Sequence, residues 1–423
     1  MRAFRSIASS LFLFVAFVPI VRGQELPAAK PEDVGMSAEK LARVTAAMQK
    51  LVDDQQVAGA ITIVARRGKV VYFEAVGKRD HDAGKPMERD TICRFYSMTK
   101  PITSVAVMML VEEGKIGLDD PVSKYLPEMK GVKVFVRATD NGVETEAAKR
   151  EPTVRDLLRH TGGLTYGIFG ATPVDQMYTK AQVLDPRSSL ADMTKKVGEI
   201  PLLYQPGTRW VYSVSVDVQG RIVEVVSGKP FDEFLADRVF RPLDMRDSGF
   251  FVPAEKLERF AAVYGSNPDG GLRASDKPDT SPFRSKPGLI SGGGGSVSTA
   301  RDYMRFCQMV ASGGQLNGQR LLRAESVAEM TKDQLPKEAF PIAFGPIQRA
   351  GVGFGLGFSV QVSQGDLTSS ARIGEYGWGG AASTHFWISP KDDLVVIALQ
   401  QFMPFSTRLE QTVKPLVYGA IVD

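Results

Sequence analysis

Apolar residues recur at three- and four-residue steps early in the chain: Leu41, Val44, Met48 and Leu51, just after Ser37. That period predicts an amphipathic helix with Ser37 as its N-cap. Two β-branched runs follow at 60–65 and 70–75, and Arg67-Gly68 between them predicts a hairpin turn. From 103 to 111 the chain is apolar almost without interruption, up to Glu112-Glu113-Gly114. A helix apolar on every side is a buried helix, and Gly114 is placed to cap it. Between 120 and 290 no sustained alternation is visible. Helical segments are expected there at 153–160, 219–227 and 231–240, and the Pro-, Asp- and Ser-rich stretch 267–288 reads as a boundary. A helical pattern resumes at 299–311. Strands are expected at 353–362, 385–389 and 394–400, and a last helix near 409–420.

Strands at both ends with helices between them predict an α/β (α+β) fold. Its sheet should be largely antiparallel, because the visible links are short hairpins. The expected division is a discontinuous sheet domain, 24–120 with 290–423, carrying a mostly helical inserted domain at 121–289. Residues 1–23 stand apart. Arg2 and Arg5 precede an apolar stretch at 7–20, and Pro19 and Gly23 suit cleavage. This is the pattern of a secretory leader. The stretch is shorter than the roughly 20 residues of a spanning helix. The protein is therefore expected to be exported, periplasmic or extracellular, with no stable membrane anchor.

Composition narrows the function classes. The chain has 423 residues, 43% hydrophobic and 24% charged, ordinary for a globular enzyme. The formal balance is +4, and Arg2, Arg5 and Arg22 of the leader supply most of it. What remains leaves no nucleic-acid footprint. Cys93 and Cys307 both lie in apolar stretches and are expected as buried free thiols. Two cysteines and three scattered histidines give no zinc spacing, and no metal or organic cofactor is implied.

Ser97-Met98-Thr99-Lys100 is a Ser-x-x-Lys sequence. Residues three apart on a helix share one face, so a serine at the helix start meets a lysine one turn on. A serine hydroxyl needs a base beside it, and burial, by disfavouring the charged amine, suits a lysine for that task. A second such sequence, Ser37-Ala38-Glu39-Lys40, opens an amphipathic helix where the lysine is expected in solvent. Ser97 differs because a buried helix follows it. Further on, Trp210-Val211-Tyr212-Ser213-Val214 follows a Pro206-Gly207 turn. Tyr212 is a candidate proton relay, with a core tyrosine as the alternative. Gly374-Glu375-Tyr376-Gly377-Trp378-Gly379-Gly380-Ala381 precedes the last strands, and its glycines would let a backbone edge approach a ligand.

Taken in order, Ser97-Met98-Thr99-Lys100, Tyr212-Ser213 and Trp378-Gly379-Gly380 resemble the three elements of the β-lactamase and penicillin-binding superfamily. The branch most similar is that of class C β-lactamases and family VIII carboxylesterases. The stretches Leu157-Leu158-Arg159-His160-Thr161-Gly162-Gly163-Leu164, Pro206-Gly207-Thr208, Ser291-Gly292-Gly293-Gly294-Gly295 and Phe386-Trp387-Ile388-Ser389-Pro390 are similar too. The resemblance spans roughly 30–420 and implies a β-lactamase/transpeptidase-like fold. It also implies Ser97 as nucleophile, Lys100 and Tyr212 sharing the base role, and an oxyanion hole from the N–H groups of Ser97 and Ala381. Trp378, Gly379 and Gly380 would bind substrate.

Two departures set the expected chemistry. Val214 stands where class C β-lactamases have the Asn of Tyr-x-Asn, and Trp378-Gly379-Gly380 replaces Lys-Thr-Gly. A lysine there would grip a substrate carboxylate; Trp378 cannot. Hydrolysis of short to medium carboxylic esters is therefore expected, with weak β-lactamase activity alongside. The alternatives are a true β-lactamase, a D-amino-acid peptidase (DD-carboxypeptidase), or a non-catalytic penicillin-binding-like scaffold. An α/β-hydrolase would need Gly-x-Ser-x-Gly, which does not occur. The expected partner is a small-molecule ester or β-lactam, with no nucleic acid. His160-Thr161-Gly162 mimics a His-Thr-Gly motif but comes too early in the chain, and is expected to be a structural turn.

Overall fold

The computed structural model describes residues 25–344, 347–364 and 370–423. The expected leader, 1–23, lies outside the described residues. Among the described residues no helix is long and apolar enough to cross a membrane.

Ser37 Oγ accepts the Lys40 amide at 3.3 Å and opens helix α1, Ala38–Asp53, whose buried stripe is Leu41, Val44, Met48 and Leu51. Strands β1, Gly59–Arg66, and β2, Lys69–Asp80, form the expected hairpin. Arg67 and Gly68 turn it with φ of 49° and 73°. After β3, Lys85–Pro86, comes helix α2, Thr99–Glu112, buried along nearly its whole length. Helices α3, Ser215–Ser227, and α4, Ala300–Ala311, follow. The chain returns to the sheet through β4, Val352–Phe354, β5, Ser359–Gln361, β6, Tyr376–Gly380, β7, Thr384–Ser389, and β8, Leu394–Leu399. Helix α5, Arg408–Gly419, ends the fold.

These strands make one 8-stranded sheet in the order β4-β5-β6-β7-β8-β1-β2-β3, antiparallel at every pairing. β1 and β8 lie at its centre and are buried at every position. Their side chains alternate between two apolar layers, as strand pleating requires. Ala60 and Val64 pack with Val396, Ala398, α1 and α5 on one face. Ile61, Ile63, Ile397 and Leu399 face α2 and α4 on the other. The second layer continues into the helices at Val154–Leu158, Leu190–Gly198, Ser215–Ser227 and Phe231–Leu235. Cys93 and Cys307 are buried free thiols, as expected.

The structure corrects three local expectations. The stretch 353–362 is two strands, not one. Gly357, at φ 96°, turns the chain between them, and a side chain at Gly355 would strike the Met330 carbonyl at 2.1 Å. The segment 120–290 holds a hairpin, Val134–Thr139 with Gly142–Glu146, joined through Asp140-Asn141. Asp and Asn are favoured turn residues, and Gly142 takes φ 139° directly after them. Part of the expected boundary is the turn and second strand of another hairpin, Val263–Ser266 with Leu272–Asp276.

Beneath the sheet, away from α2, lies a buried charge cluster. Lys414 Nζ donates to Glu375 at 2.6 Å and to Glu410 at 2.9 Å, and His385 Nδ1 lies 3.2 Å from Glu410. Burial pushes the Glu375 carboxyl above its usual range, while Lys414 and His385 hold that of Glu410 well below. Replacing Lys414 leaves two carboxylates without their cation. Lys414→Ala is expected to lower stability by about 3–5 kcal/mol, read as a fall in the urea midpoint at neutral pH.

Candidate active site

The nucleophile candidate sits where a short ladder turns into a helix. Cys93–Arg94 pairs with Val297–Ser298, and the Phe95 amide donates to Ser296 O at 3.0 Å. Tyr96 then takes φ 43°, uncommon for a residue with a side chain. A single 3₁₀ turn, Tyr96–Met98, carries Ser97 to the mouth of α2. Thr99 fastens this turn: its hydroxyl donates to Tyr96 O at 2.6 Å and meets Ser296 Oγ at 2.7 Å.

Lys100 lies one turn into α2 and is 1% exposed. Its Nζ donates to Ser97 Oγ at 3.1 Å and to Gly293 O at 2.6 Å. The amine also lies 4.4 Å from the ring centre of Tyr212 and 5.2 Å from that of Tyr166. Tyr212 is buried, and its Oη donates to Ser97 Oγ at 2.6 Å. Two segments distant in sequence, 97–100 and the one that carries Tyr212, thus meet at one half-buried hydroxyl.

Tyr212 is held from behind by His160. Val211 N donates to His160 O at 2.9 Å, and the imidazole packs 5.2 Å from the Tyr212 ring. His160 Nδ1 meets Ser213 Oγ at 3.1 Å. Burial, reinforced by Lys100, pushes this imidazole well below its ordinary range, so it stays neutral. The expected structural turn is therefore a turn, with His160 at φ 58°, but it also backs the site.

β6 brings the glycines. β5 pairs with it only at Gly377 and Tyr376, so among the described residues Trp378, Gly379 and Gly380 have β7 as their single strand neighbour. A Cβ on Gly380 would fall 2.2 Å from Phe95 O. The end of this strand, with Ala381 next, is thereby pressed against the turn that carries Ser97. Trp378 forms an apolar wall, 5.6 Å from the Tyr212 ring, 5.3 Å from Phe354 and 6.0 Å from Phe344. Phe169, 49% exposed, closes the opposite side, 5.5 Å from Tyr212. No group of acidic, histidine or cysteine side chains that could hold a metal occurs among the described residues.

Sequence reasoning did not find Gly293 O as the lysine's acceptor, nor Tyr166, nor Asp217. Asp217 is fully buried; its Oδ1 accepts Ser291 Oγ at 2.5 Å and Gly293 N at 3.1 Å. The available signal was an acid flanked by two valines near a helix start.

The second Ser-x-x-Lys behaves as expected: Ser37 caps α1, and Lys40 keeps part of its surface in solvent.

A family model described as Beta-lactamase matches residues 44–413. An uncharacterised protein of Mycobacterium tuberculosis is 36% identical over 366 residues, covering 85% of this chain and 89% of the relative. Esterase EstB of Burkholderia gladioli is 32% identical over 373 residues, covering 83% and 87%. Among solved structures, EstCE1, described as a hydrolase with promiscuous acyltransferase activity, superposes with TM-score 0.74 at 25% identity, covering 90% of this chain and 99% of that one.

The close approach of β6 to Phe95 leaves no room for a side chain at Gly380. Gly380→Ala is expected to force the strand off the Ser97 turn and slow fluorophosphonate labelling of the protein roughly 10²-fold, the scale of a lost oxyanion donor. Labelling kinetics, with circular dichroism to confirm the fold, checks this.

Proposed function

This chain is a serine hydrolase that belongs to the β-lactamase family, and from that premise we propose that it cleaves carboxylic esters of short to medium acyl chain through an acyl-enzyme on Ser97. The observation that carries the reading is the convergence of Lys100 Nζ and Tyr212 Oη on Ser97 Oγ, at 3.1 and 2.6 Å. In the proposed reaction the Ser97 hydroxyl attacks the ester carbonyl as its proton passes to the Lys100 amine, directly or through the Tyr212 phenol. The N–H groups of Ser97 and Ala381 receive the developing oxyanion. Tyr212, 4.4 Å from the amine at its ring centre, relays the proton to the departing alkoxide. Water then repeats the sequence on the acyl-enzyme and releases the acid.

The substrate class follows from the wall. Trp378 stands at the β6 position where a β-lactamase lysine would meet a substrate carboxylate, and aromatic rings surround it. A site without that cation gives an anionic β-lactam no charge partner, while a neutral acyl group gains from apolar burial. The esterase relative supports the same direction. Weak β-lactamase activity is the second reading, because the acylating constellation itself is indifferent to the leaving group.

The test compares p-nitrophenyl butyrate, nitrocefin and a D-alanyl dipeptide on purified protein. Rapid turnover of the butyrate, slow turnover of nitrocefin and none of the dipeptide are expected. Hydrolysis of the dipeptide alone would overturn the esterase reading. Ser97→Ala is expected to abolish butyrate hydrolysis, and Lys100→Ala and Tyr212→Phe to lower kcat roughly 10²–10⁴-fold each. Full activity in either of the latter removes that residue from the mechanism. Trp378→Ala is expected to shift the ratio of kcat/KM between acetate and hexanoate esters; an unchanged ratio places Trp378 outside the acyl pocket.

A further inference from the structure

One buried carboxylate next to this site has no part in the chemistry so far. Asp217 lies in the first turn of α3, fully buried, between Val216 and Val218. A carboxylate in such a place is retained at a cost unless it is paired. Its Oδ1 accepts Ser291 Oγ at 2.5 Å and the Gly293 amide at 3.1 Å. Its Oδ2 has no hydrogen-bond partner among the described residues.

Gly293 connects this carboxylate to the lysine. Its amide donates to Asp217, and its carbonyl accepts Lys100 Nζ at 2.6 Å. The residue must be glycine: a Cβ there would fall 2.6 Å from Asp217 Oδ2 and 2.6 Å from Tyr166 Oη. Asp217 Oδ2 and Tyr166 Oη therefore crowd one point beside Gly293. The titratable groups around the pair come from four elements: Lys100 from α2, Tyr212 from the segment before α3, Tyr166 from the loop before Pro173–Lys180, and His160 from the turn after Val154–Leu158. Among these, Lys100 alone can bear positive charge in the neutral range, because the His160 imidazole stays neutral.

We propose that Asp217 is a positioning residue that acts as the buried counter-charge of Lys100: through Gly293 it holds the amine on Ser97, and it stabilises the ammonium formed when the serine gives up its proton. The proposal rests on the catalytic reading of Ser97 and Lys100. It places three groups in series, carboxylate to amine to hydroxyl, with a peptide group between the first two. Burial pushes the Asp217 carboxyl up, while Ser291 and Lys100 draw it back. A rival role is purely mechanical, in which Asp217 only pins the loop from Ser291 to Gly295.

The two roles differ in pH dependence. A carboxylate favours the protonated amine, so its removal lets Lys100 reach its basic form at lower pH. Asp217→Asn keeps an acceptor for Ser291 and Gly293 but removes the charge. Ser291→Ala keeps the carboxylate but removes a hydrogen bond that favours its ionised form. The reading is the second-order rate of fluorophosphonate labelling against pH, which reports Ser97 nucleophilicity without reference to any ester. In Asp217→Asn the plateau rate is expected to fall at least 10-fold and the acidic limb to move down by roughly 1 pH unit. Ser291→Ala is expected to move the limb the same way by less, and it decides the matter alone if Asp217→Asn does not fold. Limbs that stay at the wild-type position in the folded variants, whatever the plateau does, overturn the counter-charge and leave the loop-pinning role. Failure of the wild type to label overturns the reading of Ser97 itself, and this proposal with it.

Discussion

A primary amine sealed inside a protein must find its hydrogen bonds there, and the surroundings of Lys100 are arranged by that requirement. At 1% exposure its Nζ has Gly293 O and Ser97 Oγ as hydrogen-bond acceptors, with two tyrosine rings alongside. To deliver Gly293 O, the loop from Ser291 to Gly295 must run against the start of α2. Thr103 Oγ1 helps by donating to Gly292 O at 2.8 Å, and Thr99 binds the same segment at Ser296. The ladder of Cys93–Arg94 with Val297–Ser298 then fixes the loop's exit beside the serine turn. Gly293, almost 200 residues from Lys100 in sequence, must then be glycine, since a side chain there would collide with Asp217 and Tyr166.

The second organising feature is the sheet. β1 and β8 occupy its centre and α2 lies on one face, so the serine turn is carried by the most buried part of the molecule. β6 has β5 beside it for only part of its length. Its unpaired end is the part facing the serine turn. A fully paired strand would have no free backbone to offer a substrate, and a true sheet edge would lack the rigidity of two neighbours. A strand half paired on one side and fully paired with β7 on the other meets both needs. Trp378 is presented from this strand into the aromatic wall, so one element contributes both backbone and apolar surface.

Much of this was legible in the sequence, and the parts that were not share a cause. Helices α1, α2 and α4 carried complete apolar periods or runs, and the central strands carried β-branched ones. Ser97 and Lys100 were legible because their spacing is local: one turn of helix brings them together whatever the rest of the fold does. Tyr212 and Trp378 required the family resemblance, since nothing local ties either to Ser97. The hairpin at Asp140-Asn141 had its turn residues, with Gly142 after them, in plain view. Its strands are largely exposed, so they lack the apolar alternation that would have drawn attention to it. The stretch 353–362 was apolar enough to pass for one strand; the break is made by Gly357 at φ 96° and by the close approach of Gly355 to the Met330 carbonyl, which the sequence does not show.

Asp217 was illegible for a different reason. Acid residues near a helix start are common, since the helix dipole favours them, and a sequence does not show whether such a residue faces water. In the structure the first turn of α3 faces inward, against the loop that holds Lys100, so the same carboxylate meets a helix N-terminus and a glycine amide in a region without solvent. What distinguishes it from a cap is its burial together with a second oxygen left without a hydrogen-bond partner among the described residues. Burial pushes this carboxyl up, and Ser291 and Lys100 oppose that push. In the proposed role the carboxylate's weight falls at one stage of the reaction, when the serine proton has passed to Lys100 and the buried site holds a positive charge.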